Sequence, residues 1–192
     1  MERRRESNWL SVAAFVLAAN MVLAFAGAGS APALAGGKGG GGRQDCWMTG
    51  GGSIFPAGGP VEYGGDPRIT HGFVLHCVPR NSDNLQINDH GTGWNFHLAT
   101  LTSAICIDDP AIEPNPPDAT FDTFVGQGTG RCKNGFTGQE ADCTAAWTFT
   151  DGGEPGGCVR DTAVIEVRDL NGNLLFSVSG VVDCGNHQAH SQ

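Results

Sequence analysis

The chain has 192 residues, of which 16% are charged, and its 20 acidic side chains outweigh 11 basic ones to give a net charge of −9. A surplus of carboxylates excludes nucleic acid as a partner, because phosphates demand Lys and Arg, and it opposes docking on anionic lipid. Seven cysteines in such a chain make its redox compartment the first question.

The amino terminus answers it. Arg3, Arg4 and Arg5 form a basic head, and an apolar run from Leu10 to about Ala26 is broken by Ser11 and Asn20 alone. Ala33-Leu34-Ala35 is a small-x-small triplet of the kind signal peptidase cuts, so residues 1–35 read as a secretory signal. A retained anchor is the alternative, since a span needs roughly 20 apolar residues; against it, the run is Ala-rich and leads through Gly27, Gly29 and Ser30 to the triplet. No cysteine stands at the exit for a lipid anchor, and no later run is long enough to span a membrane. Cleavage leaves about 157 residues with 8 basic and 18 acidic side chains, a net charge of −10. That is enough chain for one domain with a real core. All seven cysteines lie in this part, where an exported chain meets oxidants, and none forms a C-x-x-C.

Residues 36–44 read as a glycine-rich flexible linker, and residues 45–192 as a single domain. Ile69 to Val78 alternates, with Ile69, His71, Phe73 and Leu75 on one face. Leu85–Ile87 and Trp94–Leu98 are short strand candidates, and Phe121–Val125 alternates before Gly126-Gln127-Gly128-Thr129-Gly130, which is expected to loosen the backbone. Asp108–Asp118, with four prolines, reads as an irregular loop. Ala145–Thr150 alternates with Trp147 and Phe149 on one face, which assigns Trp147 to the core. Thr162–Val167 and Leu174–Val178 are joined by Asn171-Gly172, the strongest short hairpin signal, and Asn134-Gly135 is a second turn. The Gly50–Gly52 run has a strand-like context and predicts a bulge or a close backbone contact. No helical stripe follows residue 35. The expected fold is all-β: an antiparallel β-sandwich, with a small β-barrel as the alternative, stapled by disulfides.

Thr49-Gly50-Gly51-Gly52-Ser53-Ile54, Thr70-His71-Gly72-Phe73, Thr148-Phe149-Thr150-Asp151-x-Gly153-Glu154-Pro155-Gly156 and Gly185-Asn186-His187-Gln188-Ala189-His190 occur in an order that resembles the bacterial post-COAP-1 domain, over about residues 45–190. The resemblance implies an extracytoplasmic β-rich module and carries no activity with it.

Strand positions suggest the bridges Cys77–Cys106, Cys132–Cys143 and Cys158–Cys184, one of 15 pairings open to six cysteines. Cys46 is left as a free thiol, open to a disulfide-linked dimer. Asp151, Glu154 and Asp161 place three carboxylates within eleven residues of a glycine-rich loop. Calcium takes such oxygens, and plain turn chemistry is the competing account. His71, His76, His90, His97, His187 and His190, with Asp89, raise a transition-metal site, and His187-x-x-His190 has loose ligand spacing; the competing account is a mobile chain end and packed strand histidines. Gly-x-Ser-x-Gly and His-Glu-x-x-His are absent. Asp108-Asp109 opens a proline-rich loop rather than a cleft holding paired acids. Trp47, Trp94 and Trp147 are candidates for a sugar or peptide groove, with the core as the competing account, favoured for Trp147. The expected function is a secreted, non-enzymatic structural or interaction module with an extracellular protein or glycan partner. A calcium-dependent ligand- or carbohydrate-binding domain and a hydrolase with an unrecognised site are the alternatives.

Overall fold

Alternating apolar and polar side chains direct this chain into strands, because successive residues of a strand face opposite ways. The structure, a computed structural model, describes residues 45–56, 67–110, 112, 119–153 and 161–192. The signal (1–35), the linker (36–44), Glu154 and Cys158 lie outside the described residues, as does most of the proline-rich loop. Among the described residues nine strands run in chain order: β1 (Cys46–Ile54), β2 (Ile69–His76), β3 (Asn84–Asp89), β4 (Trp94–Ile107), β5 (Thr123–Asn134), β6 (Glu140–Thr150), β7 (Thr162–Asp169), β8 (Leu174–Val181) and β9 (Asp183–Ser191). No helix occurs among the described residues.

All ladders are antiparallel, in the order β8-β7-β6-β5-β4-β3-β2-β1-β9. The all-β expectation therefore holds, and the architecture is its barrel-like form: one nearly closed sheet rather than two facing sheets. Inward positions fill the interior with Met48, Leu75, Ile87, Phe96, Phe124, Trp147, Phe149 and Ile165, each at most 2% exposed. Trp147 is core, as its alternation with Phe149 predicts.

Both predicted turns form. Gly172 has φ +85°, and the Asp169 carboxylate accepts the Asn171 and Asn173 N–H groups beside it. The Asn134 side chain accepts from Phe136 and Thr137, and Gly138 takes φ +75° to finish that turn.

Three strands depart from expectation. The glycines at 126, 128 and 130 do not loosen β5; they are its inner face. A Cβ on Gly126 would lie 2.4 Å from the Trp147 indole, one on Gly128 2.3 Å from Leu98, and one on Gly130 2.1 Å from the His97 carbonyl oxygen. Glycine at period two lets bulky neighbours lie flat on the strand. β4 runs to Ile107 rather than Leu98, because register shifts at Leu98/Thr100 and Leu101/Ser103 break the alternation that would reveal it. Residues 183–191 are not a mobile end but an edge strand on β1. They approach β1 closely because Gly50 has no side chain: a Cβ there would sit 2.6 Å from the Asn186 carbonyl oxygen.

Two predicted disulfides are present. Cys77–Cys106 and Cys132–Cys143 have Cα separations of 5.6 and 6.0 Å, within the usual range. The expected Cys158–Cys184 bridge involves a residue outside the described set. Cys46 is a half-buried free thiol whose carbonyl accepts the Cys77 N–H at 2.9 Å.

Candidate functional site: a sealed histidine–carboxylate cluster and an open neutral groove

Residues from three strands converge inside the sheet. His71 and Phe73 come from β2, Phe149 and Asp151 from β6 and its end, and His187 and Ala189 from β9. His71 packs against Phe149 with ring centroids 5.1 Å apart, Phe73 stacks on Phe149 at 4.3 Å, and His187 meets Phe73 edge-on at 5.2 Å.

His71 Nε2 and His187 Nε2 are 2.7 Å apart, a distance that requires one proton between them. His187 Nδ1 lies 3.1 Å from the Thr150 carbonyl oxygen, which can only accept, so Nδ1 carries a hydrogen. Burial, first of all, depresses His187 to about 4, and the Thr150 bond opposes this. Burial, then the neighbouring His187, depresses His71 to about 3. Both rings are therefore neutral at pH 7. In a neutral ring only one nitrogen donates, so His187 Nε2 accepts and His71 Nε2–H donates to it. His71 Nδ1 is left as a buried lone pair with no partner among the described residues.

Two carboxylates complete the cluster. Asp151 follows β6 and Asp161 precedes β7, and each reaches the free edge of β9. Asp161 Oδ2 accepts the His187 N–H, and Oδ1 accepts the Gly152 N–H at 3.0 Å. Asp151 Oδ2 accepts the Ala189 N–H at 2.9 Å, and Oδ1 accepts the Gly153 N–H at 2.9 Å. The alternate amides of an edge strand, normally a template for aggregation, are thus capped by two buried acids. Burial raises the Asp161 pKa while the two N–H donors pull it back.

This geometry places each candidate from the sequence. Asp151 and Asp161 do come together, as the calcium reading needs, but all four of their oxygens already accept backbone N–H groups; Glu154 lies outside the described residues. His187 and His190 do not form a ligand pair. Three residues apart on a strand they face opposite ways: His187 points inward, whereas His190 lies over Trp47 on the outer face at 4.9 Å and bonds Thr49 Oγ1 at 3.0 Å. The histidine in contact with His187 is His71, 116 residues away. Of the others, His76 bonds Asp83 at 2.7 Å and His90 bonds Thr70 at 3.0 Å. Asp89 accepts from Gly91, Thr92 and the Thr92 hydroxyl. Among the described residues no group of three His, Cys, Asp or Glu side chains could hold a metal ion.

The other side of β2 is different in kind. Thr70, Gly72 and Val74 face outward, directly opposite Asn88, Gln86 and Asn84 of β3. Together with His71 and Phe73 they line an open groove of about 440 Å³ without a carboxylate, Lys or Arg side chain. Gly72 makes its floor: a Cβ there would meet nothing within 4 Å. Gln86 donates to Asn88 at 3.2 Å, and Asn88 to Thr70 at 3.4 Å, so the amides form a ladder along one wall. Asn95 and His97 of β4 continue the same outward rows beside Asn88 and Gln86. Sequence reasoning missed this groove, although its signal was present: Asn84, Gln86 and Asn88 at period two in a strand with apolar partners at 85 and 87.

Comparison of the chain with protein-family models, with curated proteins and with solved structures found no match.

Proposed function

We propose that this protein is a secreted, non-enzymatic interaction module acting at the exterior of a bacterial cell, and that it meets its partner through the β2–β3 groove. The observation that carries the reading is the division across β2. His71, His187, Asp151 and Asp161 face inward and hold β9 in place, while the accessible depression on the outward side has no carboxylate, Lys or Arg and is rich in hydrogen-bonding groups. Two disulfides and the amino-terminal pattern of basic head, apolar run and Ala-x-Ala support export. No helix among the described residues is long and apolar enough to cross a membrane. Cys46 offers a thiol through which a second copy could be attached.

Expression of the full chain in a bacterial host tests this. The expected product begins near Gly36, has oxidised cysteines, and is retained on isolated cell-envelope material. An uncut, reduced chain inside the cell, or a mature domain that the envelope does not retain, would contradict it. Non-reducing electrophoresis of the same product reads the Cys46 dimer directly: conversion of the dimer to monomer by Cys46→Ser supports the attachment, and a monomer throughout removes it.

A further inference from the structure

Resting on the groove as the interaction surface, we propose that it binds a neutral glycan. Three features of the groove select that class. Its walls carry hydroxyl and amide groups and no charge, in a chain with 20 acidic residues, which disfavours anionic ligands and gives a cation no carboxylate. Each amide presents donors and an acceptor together, matching sugar hydroxyls, which also do both. Asn84, Gln86 and Asn88 repeat this offer at every second residue, about 7 Å apart along the strand. Val74, 41% exposed, adds an apolar surface for the C–H face of a ring, and the bare backbone at Gly72 lets a ring settle close to the sheet.

A peptide fits less well. Peptides commonly add to a sheet through the unpaired backbone of an edge strand. Here β2 is paired on both sides by β1 and β3, and β3 by β2 and β4. A ligand in this groove must be read by side chains. The volume of about 440 Å³ lies within the roughly 300–1,000 Å³ of small-molecule sites, enough for a short stretch of a chain that continues into solvent at both ends.

The test is affinity electrophoresis of the disulfide-intact mature domain in gels containing neutral α-glucan, β-glucan or galactomannan, with an anionic polysaccharide as control. It is run beside retention on envelope material that has been treated with protease or with periodate. The proposal expects retardation by a neutral polymer, loss of envelope retention after periodate, and retention that survives protease. Gln86→Ala/Asn88→Ala should weaken binding at least tenfold, and Gly72→Trp should abolish it. Gln127→Ala, on a different part of the sheet, should leave binding unchanged. Melting curves report whether Gly72→Trp folds; the double variant, at exposed Gln86 and half-buried Asn88 and outside the core, carries the test if it does not. Retention lost to protease but not to periodate would overturn the glycan and leave the interaction module standing with a protein partner. Retardation unaffected by the double variant would overturn the groove. No retention on untreated envelope would instead count against the proposed function itself.

Discussion

Lowering the pH should destabilise this protein well above the carboxylate range, through His71 and His187. Each ring titrates near its ordinary value of 6.5 in the unfolded chain, and burial holds them to about 3 and about 4 in the folded one. The unfolded state therefore binds more protons than the folded state between those values. Stability is fully present above 6.5 and falls as the pH drops. At pH 5.0 each ring is 1.5 units below its unfolded value and still neutral when folded, which costs about 2 kcal/mol per ring, or about 4 kcal/mol for both. Asp161 acts in the opposite sense: its raised pKa favours the folded state on acidification. His71→Phe isolates the histidine contribution. A phenyl ring can take the place of His71 beside Phe149 and Phe73 and cannot titrate, so the loss between pH 7.5 and 5.0 should shrink from about 4 to about 2 kcal/mol. Urea denaturation at the two pH values measures this. A wild-type protein equally stable at both, or a His71→Phe variant with the wild-type loss, would refute the neutral buried pair.

The remaining expectations concern stability and ions. Removing Cys77–Cys106, which spans 29 residues, should cost about 3.5 kcal/mol and removing Cys132–Cys143, which spans 11, about 3 kcal/mol, read as the shift in denaturation midpoint of each double Cys→Ser variant. Gly130→Ala should cost about 2–3 kcal/mol because its Cβ would press on the backbone of β4. Gly72→Ala, opening into empty space, should change stability by less than about 1 kcal/mol in the same assay. Asp151→Ala leaves the Ala189 N–H without its acceptor and should cost about 1–3 kcal/mol, with faster hydrogen exchange at that amide. Because the Asp151 and Asp161 oxygens are already occupied by N–H donors, millimolar calcium should leave the melting temperature unchanged.

Strands with unbroken alternation were legible in the sequence. Ile69–Leu75 and Thr162–Val167 declare their inner faces, and Asn171-Gly172 declares its hairpin. Bulges hid the length of β4, and the glycines of β5 read as looseness because glycine is a turn residue in isolation. Their period-two spacing opposite Trp147 is what identifies them as a flattened inner surface. The cluster was half legible. Each member was singled out, but the grouping was by sequence distance, which pairs His187 with His190. Strand geometry sends that pair to opposite faces, and pairing of both β9 and β2 with β1, at Gly50 and Gly52, brings His187 to His71. Asp151 and Asp161 were recognised as acids meeting on one loop. Their partners, the edge amides of β9, belong to a segment that read as a chain end, so their structural duty was hidden until that segment was seen to pair with Gly50 and its neighbours.

Which side of β2 does the work is the central claim, and nuclear magnetic resonance reads both sides at once. The 15N-labelled mature domain is titrated with neutral oligosaccharides released from the envelope that retains it. The account predicts shifts in the side-chain amides of Asn84, Gln86 and Asn88 and in the Gly72 N–H, with the His71 and His187 imidazoles unmoved. Shifts centred on those imidazoles and on the amides bound to Asp151 and Asp161, with the groove silent, would contradict it.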